Sequence, residues 1–128
     1  MFEICVEHTF AAAHFLRNYY GKCENLHGHN YRVQVGMEGE LDETGMVFDF
    51  ARLKDQLRQT SAYLDHQLLN ELKPFDELNP SAENIAWFIC EDTRKGLTQN
   101  SPEALDPRVK ISYVRVWETD TSYAVYRP

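Results

Sequence analysis

His27-Gly28-His29-Asn30-Tyr31-Arg32-Val33-Gln34-Val35-Gly36-Met37 is the stretch on which the reading of this 128-residue chain turns. Tyr31, Val33, Val35 and Met37 alternate with Arg32 and Gln34, the period-two pattern of a strand with one buried face. The strand is expected from about Asn30 to Glu38. His27 and His29, two residues apart, stay in phase with its apolar side. Both imidazoles therefore stand at the mouth of an apolar interior, where water is limited. Upstream, Lys22-Cys23-Glu24-Asn25-Leu26 adds a thiol, and His14 lies a short loop further back. Three of the five histidines thus share one neighbourhood. Neutral imidazole suits borderline metals such as zinc, and three protein ligands leave one tetrahedral position open, the catalytic arrangement. His-x-His alone is a permissive pattern that also fits a turn at a strand start. The metal reading leans on His14 and Cys23, and on Gly28, which lets the backbone approach a bound ion or substrate.

Working outward, Phe2, Ile4, Val6, His8 and Phe10 alternate with Glu3, Cys5, Glu7 and Thr9, giving a first strand. Ala11-Ala12-Ala13-His14 is expected to leave it, and Arg17 to Asn25 has loop composition. Asp42-Glu43-Thr44-Gly45 is a turn. A helix then starts with Asp49 as N-cap and Phe48 stapled on Leu53, and buries Phe50, Leu53, Leu57 and Leu64. Lys54, Asp55 and Arg58 lie on its other faces. After a linker with Pro74 and Pro80, a second helix is capped by Ser81 or Asn79. It buries Ile85, Phe88 and Ile89, and Gly96 is expected to end it. Leu97 to Arg108 reads as a loop, Val109 to Glu118 as the third strand, and Tyr123 to Arg127 as the fourth, in a hairpin. The expectation is an α+β fold over residues 1–128 as one domain. It is a ββααββ antiparallel sheet with two helices on one face. Its unpaired edges favour association with other copies.

A net charge of −7 argues against a nucleic-acid surface, which needs clustered cations. No apolar run approaches the roughly 20 residues of a membrane helix. The N-terminal residues alternate like a strand and are not expected to be a signal peptide. Three cysteines, an odd number, fit free thiols in a reducing cytoplasm. Cys5 and Cys90 sit in regular elements and read as packing residues; Cys23, in a polar loop, invites chemistry.

Two further spots carry chemistry. Asp65-His66 falls where the first helix runs out. The pair either decorates a solvated helix end or, held in a turn, forms a proton relay with Cys23. Glu118 ends the third strand beside Trp117. A carboxylate there is either idle and exposed or accepts paired hydrogen bonds from an amino-substituted heterocycle.

In order along the chain stand Phe10-Ala11-Ala12-Ala13-His14, Cys23 before His27-Gly28-His29-Asn30-Tyr31, and Gly45-Met46-Val47-Phe48-Asp49-Phe50. Leu64-Asp65-His66, Asn79-Pro80-Ser81-Ala82-Glu83-Asn84 and Val116-Trp117-Glu118-Thr119 follow. Together they resemble the 6-pyruvoyl-tetrahydropterin synthase and 6-carboxy-tetrahydropterin synthase family over nearly the whole chain. The short spacing from Cys23 to His27 is similar to the bacterial carboxy branch.

The resemblance implies a tunnelling fold (T-fold) assembled as trimers or dimers of trimers, with zinc on His14, His27 and His29. It implies Cys23 as proton-abstracting base, Asp65 and His66 as the relay from a neighbouring subunit, and Glu118 as the pterin anchor that also shares in the relay. The implied substrate is 7,8-dihydroneopterin triphosphate. The products of the carboxy branch are 6-carboxy-tetrahydropterin, acetaldehyde and triphosphate, on the route to queuosine. In an acidic chain the triphosphate needs local cations, for which Lys22 and Arg17 are candidates by proximity. Three rivals stand beside this reading: the pyruvoyl-forming enzyme, a dihydroneopterin aldolase that would use a glutamate such as Glu24, and a non-catalytic metal-binding module.

Overall fold

The computed structural model describes residues 1–21, 24–100 and 106–128. Its elements are β1 (Phe2–His14), β2 (His27–Gly39), α1 (Phe50–Leu64), β3 (Gln67–Leu68), α2 (Ala82–Asn100), β4 (Val109–Thr119) and β5 (Ser122–Tyr126). One sheet results, in the order β3-β1-β2-β4-β5. Its pairs are antiparallel except for β3, which runs parallel to β1 through Ala12↔Gln67 and Ala13↔Leu68. The α+β plan is as expected, with β3 as an added edge piece inside the expected linker. Two residues are too few for alternation to register.

The register explains the two faces of the sheet. Val6 pairs with Val35 and Val35 with Val114, all buried, while the next row, Glu7, Gln34 and Arg115, points the other way. Both helices cover the apolar face: α1 packs on β1, α2 on β4 and β5, and the helices touch each other. Leu53, Leu57 and Leu64 of α1 meet Ile85, Ile89 and Leu97 of α2 in this core. Each such side chain contributes about 1.5–3 kcal/mol by leaving water. No helix among the described residues is long and apolar enough to cross a membrane.

Asp49 caps α1, its carboxylate accepting the Ala51 N–H at 2.8 Å, and Phe48 is buried in the same core as Leu53. Phe50, expected on the apolar face, is 53% exposed. At the first helical position its side chain tilts back toward the N-terminus, beyond the covered stripe. Ser81, not Asn79, caps α2, its hydroxyl accepting the Asn84 N–H at 3.2 Å. Phe88 is only partly buried against the core.

Gly96 does not end α2, which runs on to Asn100. A Cβ on Gly96 would lie 2.1 Å from the Gln56 side-chain amide, so this glycine admits the neighbouring helix. Residues 97–100 of the expected loop are therefore helical, and 101–105 lie outside the described residues.

At the site end, β1 does not leave the sheet at Ala11. It continues to His14 because β2 starts early, at His27, and pairs with it through His14↔His27. Alanine has little strand preference of its own. Only the partner strand makes 11–14 extended.

Tyr113 lies across from Gly36, its hydroxyl donating to Gln34 Oε1 at 2.8 Å. A Cβ on Gly36 would stand 2.1 Å from the tyrosine ring. Gly36→Ala is expected to lower stability by about 1–3 kcal/mol, the usual cost of overpacking. A denaturant midpoint equal to wild type would contradict this packing.

Candidate metal centre and active site

β1 and β2 finish side by side. His14 continues the buried phase of Phe10 and Ala12, and His27 and His29 continue that of Tyr31. The three rings meet with centroids 4.5 Å apart (His14–His27), 5.1 Å (His14–His29) and 4.8 Å (His27–His29). One ligand nitrogen from each lies within 4.8 Å of the others. Among the described residues this is the one cluster of three metal-ligating side chains.

The hydrogen bonds fix the tautomers. His14 Nδ1 is 2.7 Å from the Pro80 carbonyl oxygen, and His27 Nδ1 is 2.6 Å from that of Asn25. A carbonyl can only accept, so each Nδ1 carries a hydrogen, and in the neutral ring, the form that ligates a metal, each Nε2 keeps a lone pair. Those two Nε2 atoms face each other at 3.0 Å. Two lone pairs repel at that distance unless a cation lies between them. The third ring shows the same need: His29 Nε2 is buried with no hydrogen-bond partner. A buried nitrogen left so costs about 1–3 kcal/mol. A metal ion shared by the three rings removes both penalties, and carbonyls on the far ring nitrogens are the usual outer-shell arrangement. The residues fit a metal.

Burial is the largest effect on both His14 and His29 and pushes their pKa values below the ordinary histidine range, despite the Glu118 carboxylate nearby. Both rings are held in the neutral, ligating form. Tyr31, its hydroxyl 3.2 Å from His14 Nδ1, is pushed upward by burial.

Glu118 arrives through an irregularity. The β4–β5 register slips between Trp117 and Thr119, so Glu118 is an unpaired bulge residue. Bulges re-aim a side chain; here Oε1 lies 3.7 Å from His14 Nε2, with the side chain 30% exposed. It is partly buried and faces the histidine cluster.

Asp65 and His66 are held in a turn, as a pairing of neighbours requires. Asp65 ends α1, and its Oδ1 accepts the Ala11 N–H at 2.9 Å. His66 donates its own N–H to the Ala11 carbonyl at 2.6 Å. His66 has φ 58°, the sparsely populated left-handed region, and its Nδ1 lies 3.0 Å from Asp65 Oδ2. The Ala11 N–H first, and His66 second, hold the Asp65 carboxyl below its usual range. The His66 ring is 81% exposed and lines, with His29, Ala11, Ala13 and Gly28, an open hollow of about 510 Å³.

Cys23 and Lys22 lie outside the described residues. The Arg17 guanidinium is engaged structurally, donating to the carbonyls of Phe75 (2.8 Å), Leu78 (3.2 Å) and Asn70 (3.3 Å). Glu24 accepts the Tyr19 N–H at 3.1 Å and so ties its own loop. The sequence reading missed the Pro80 and Asn25 carbonyls. Backbone groups leave no mark in side-chain patterns.

A family model described as 6-pyruvoyl tetrahydropterin synthase matches residues 3–128. The 6-carboxy-5,6,7,8-tetrahydropterin synthase of Haemophilus influenzae is 32% identical, with 99% of each chain aligned. A dihydroneopterin monophosphate aldolase of Pyrococcus furiosus is 36% identical over 86% of this chain and 83% of its own. The structure of Caenorhabditis elegans 6-pyruvoyl tetrahydropterin synthase matches with a TM-score of 0.81 at 28% identity, covering 100% of this chain and 97% of that one. With its tunnelling fold and a match from Glu3 to the last residue, the chain belongs to the 6-pyruvoyl tetrahydropterin synthase family of enzymes.

Proposed function

We propose that the chain is a zinc-dependent 6-carboxy-5,6,7,8-tetrahydropterin synthase. It converts 7,8-dihydroneopterin triphosphate and water into 6-carboxy-tetrahydropterin, acetaldehyde and triphosphate, a lyase reaction on the route to queuosine. The observation that carries this reading is the convergence of His14, His27 and His29, with their bare nitrogens, beside Glu118. The end-to-end match with the Haemophilus protein favours the carboxy product.

Zinc bound by the three histidines supplies a Lewis acid that acidifies protons beside a developing carbonyl. The chain's own groups do the rest. Cys23, four residues before His27, takes a proton from the substrate side chain; this role rests on its place in the sequence. His66, its Nδ1 directed at Asp65, has Nε2 left to return or accept a proton at the hollow it shares with His29. Asp65, anchored on Ala11, keeps that ring oriented. Glu118 receives the amino-pyrimidine edge of the pterin through charge-assisted hydrogen bonds. The active form is a trimer or a dimer of trimers. The outer edge of β1 before Ala12 has no strand partner among the described residues, and β5 leaves a second edge.

The pyruvoyl-forming reaction is the second reading, favoured by the likeness to the C. elegans enzyme. Incubation of the zinc-loaded protein with the triphosphate substrate separates the two. Acetaldehyde equal in amount to triphosphate is expected. Triphosphate without acetaldehyde selects the pyruvoyl enzyme, and neither product overturns the proposal.

His27→Ala is expected to purify without zinc while staying folded. Metal content equal to wild type by elemental analysis contradicts the ligand set. Cys23→Ala is expected to keep its zinc and lose at least about 100-fold in turnover, the lower end of what a general base supplies. A variant retaining most activity removes Cys23 from the mechanism.

A further inference from the structure

We propose that Asn79 is a positioning residue for the metal ligand His14, acting through the Pro80 carbonyl and seconded by Asn70. The inference rests on the reading that the three histidines hold a metal.

Strand pairing sets the backbone of His14, but the tautomer and direction of its ring depend on the Pro80 carbonyl, 2.7 Å from Nδ1. Pro80 lies between the 3-10 turn Leu69–Glu71 and α2, outside any regular element. Having no N–H, it cannot anchor itself through a backbone bond. Its neighbours anchor it instead. The Asn79 side-chain amide accepts the Arg17 N–H at 2.8 Å and donates to the Arg17 carbonyl at 3.0 Å, as a strand partner would. The Asn79 carbonyl accepts from Asn84 Nδ2 at 2.9 Å. On the other side Ser81 is fixed as the cap of α2, its carbonyl accepting the Ile85 N–H at 2.9 Å. The carbonyl that receives the His14 proton is thus clamped from both sides.

A second amide repeats the device one residue past the ligand. Asn70 accepts the Phe15 N–H at 3.0 Å and donates to the Phe15 carbonyl at 2.9 Å. The Arg17 guanidinium closes the unit by donating to carbonyls of Asn70, Phe75 and Leu78. Chain leaving His14 and chain supplying its ring acceptor become one cross-linked body. Two primary amides suit the task because each offers a donor and an acceptor at once. This gives a purpose to the Asn79-Pro80-Ser81 segment, which neither helix capping alone nor the proposed reaction uses in full. With Asn79 removed, the Pro80 carbonyl can drift and His14 loses the bond that keeps Nε2 bare. Outer-shell partners of a ligating histidine are worth about 10- to 100-fold in metal affinity.

The test measures Zn²⁺ affinity of the full chain by competition with a chromophoric chelator, together with the visible spectrum of the Co²⁺-loaded protein. Asn79→Ala is expected to bind about 10- to 100-fold more weakly and to change the cobalt bands. Asn79→Asp should do the same, since it keeps the acceptor but faces the Arg17 carbonyl with a second oxygen; it also serves if the alanine variant does not fold. Leu57→Ala, a core change in α1, is expected to lower the melting temperature and leave affinity and spectrum as in wild type. A folded Asn79 variant within twofold of wild type with an unchanged cobalt spectrum overturns the proposal. So does an equal loss of affinity in Leu57→Ala. His14→Ala tells the two readings apart. If it binds metal like wild type, the metal centre itself is wrong; if it loses metal while Asn79 variants do not, only the positioning role falls.

Discussion

Two imidazole nitrogens, each left with a lone pair in the neutral ring because a carbonyl holds the hydrogen on the opposite nitrogen, face each other at 3.0 Å. That confrontation is unfavourable in an empty protein and favourable around a cation. The rest of the molecule can be understood as the apparatus that enforces it. β1 must stay extended to His14, β2 must begin at His27, and the Pro80 carbonyl must reach in from the segment before α2. Burial then keeps His14 and His29 neutral, the form in which they can ligate.

The fold supplies this at modest cost. A single apolar sheet face under two helices provides the stability, and that core ends where the histidines begin. The same strands continue past the core as a short rim that bears the three histidines. A bulge near the end of β4 turns Glu118 inward, and the left-handed turn after α1 fastens Asp65 and His66 to the outer edge of β1. The three histidines ride on regular pairing, whereas Glu118, Asp65 and His66 stand where it fails. The bulge places one titratable group and the turn places two.

Much of this was legible in the sequence. The alternation around Tyr31, Val33 and Val35 was strong enough to place His27 and His29 on the apolar side, and the Asp49 cap marked the start of α1. The departures share a cause: they depend on groups distant along the chain. Ala11 to His14 stay extended because β2 lies alongside, Gly96 faces Gln56 rather than ending a helix, and β3 is a strand only by virtue of β1. Arg17 looked like a phosphate ligand by proximity, yet three backbone carbonyls use its guanidinium. The carbonyls that set the tautomers were beyond reach, since any residue could have furnished them.

The central claim is that the three rings share one ion. Anomalous diffraction at the zinc edge, on crystals of metal-loaded protein, tests it most directly. The account predicts a strong peak about 2.0–2.1 Å from one nitrogen each of His14, His27 and His29. A peak elsewhere in the molecule, or none while the protein in the crystals contains stoichiometric zinc, would contradict it.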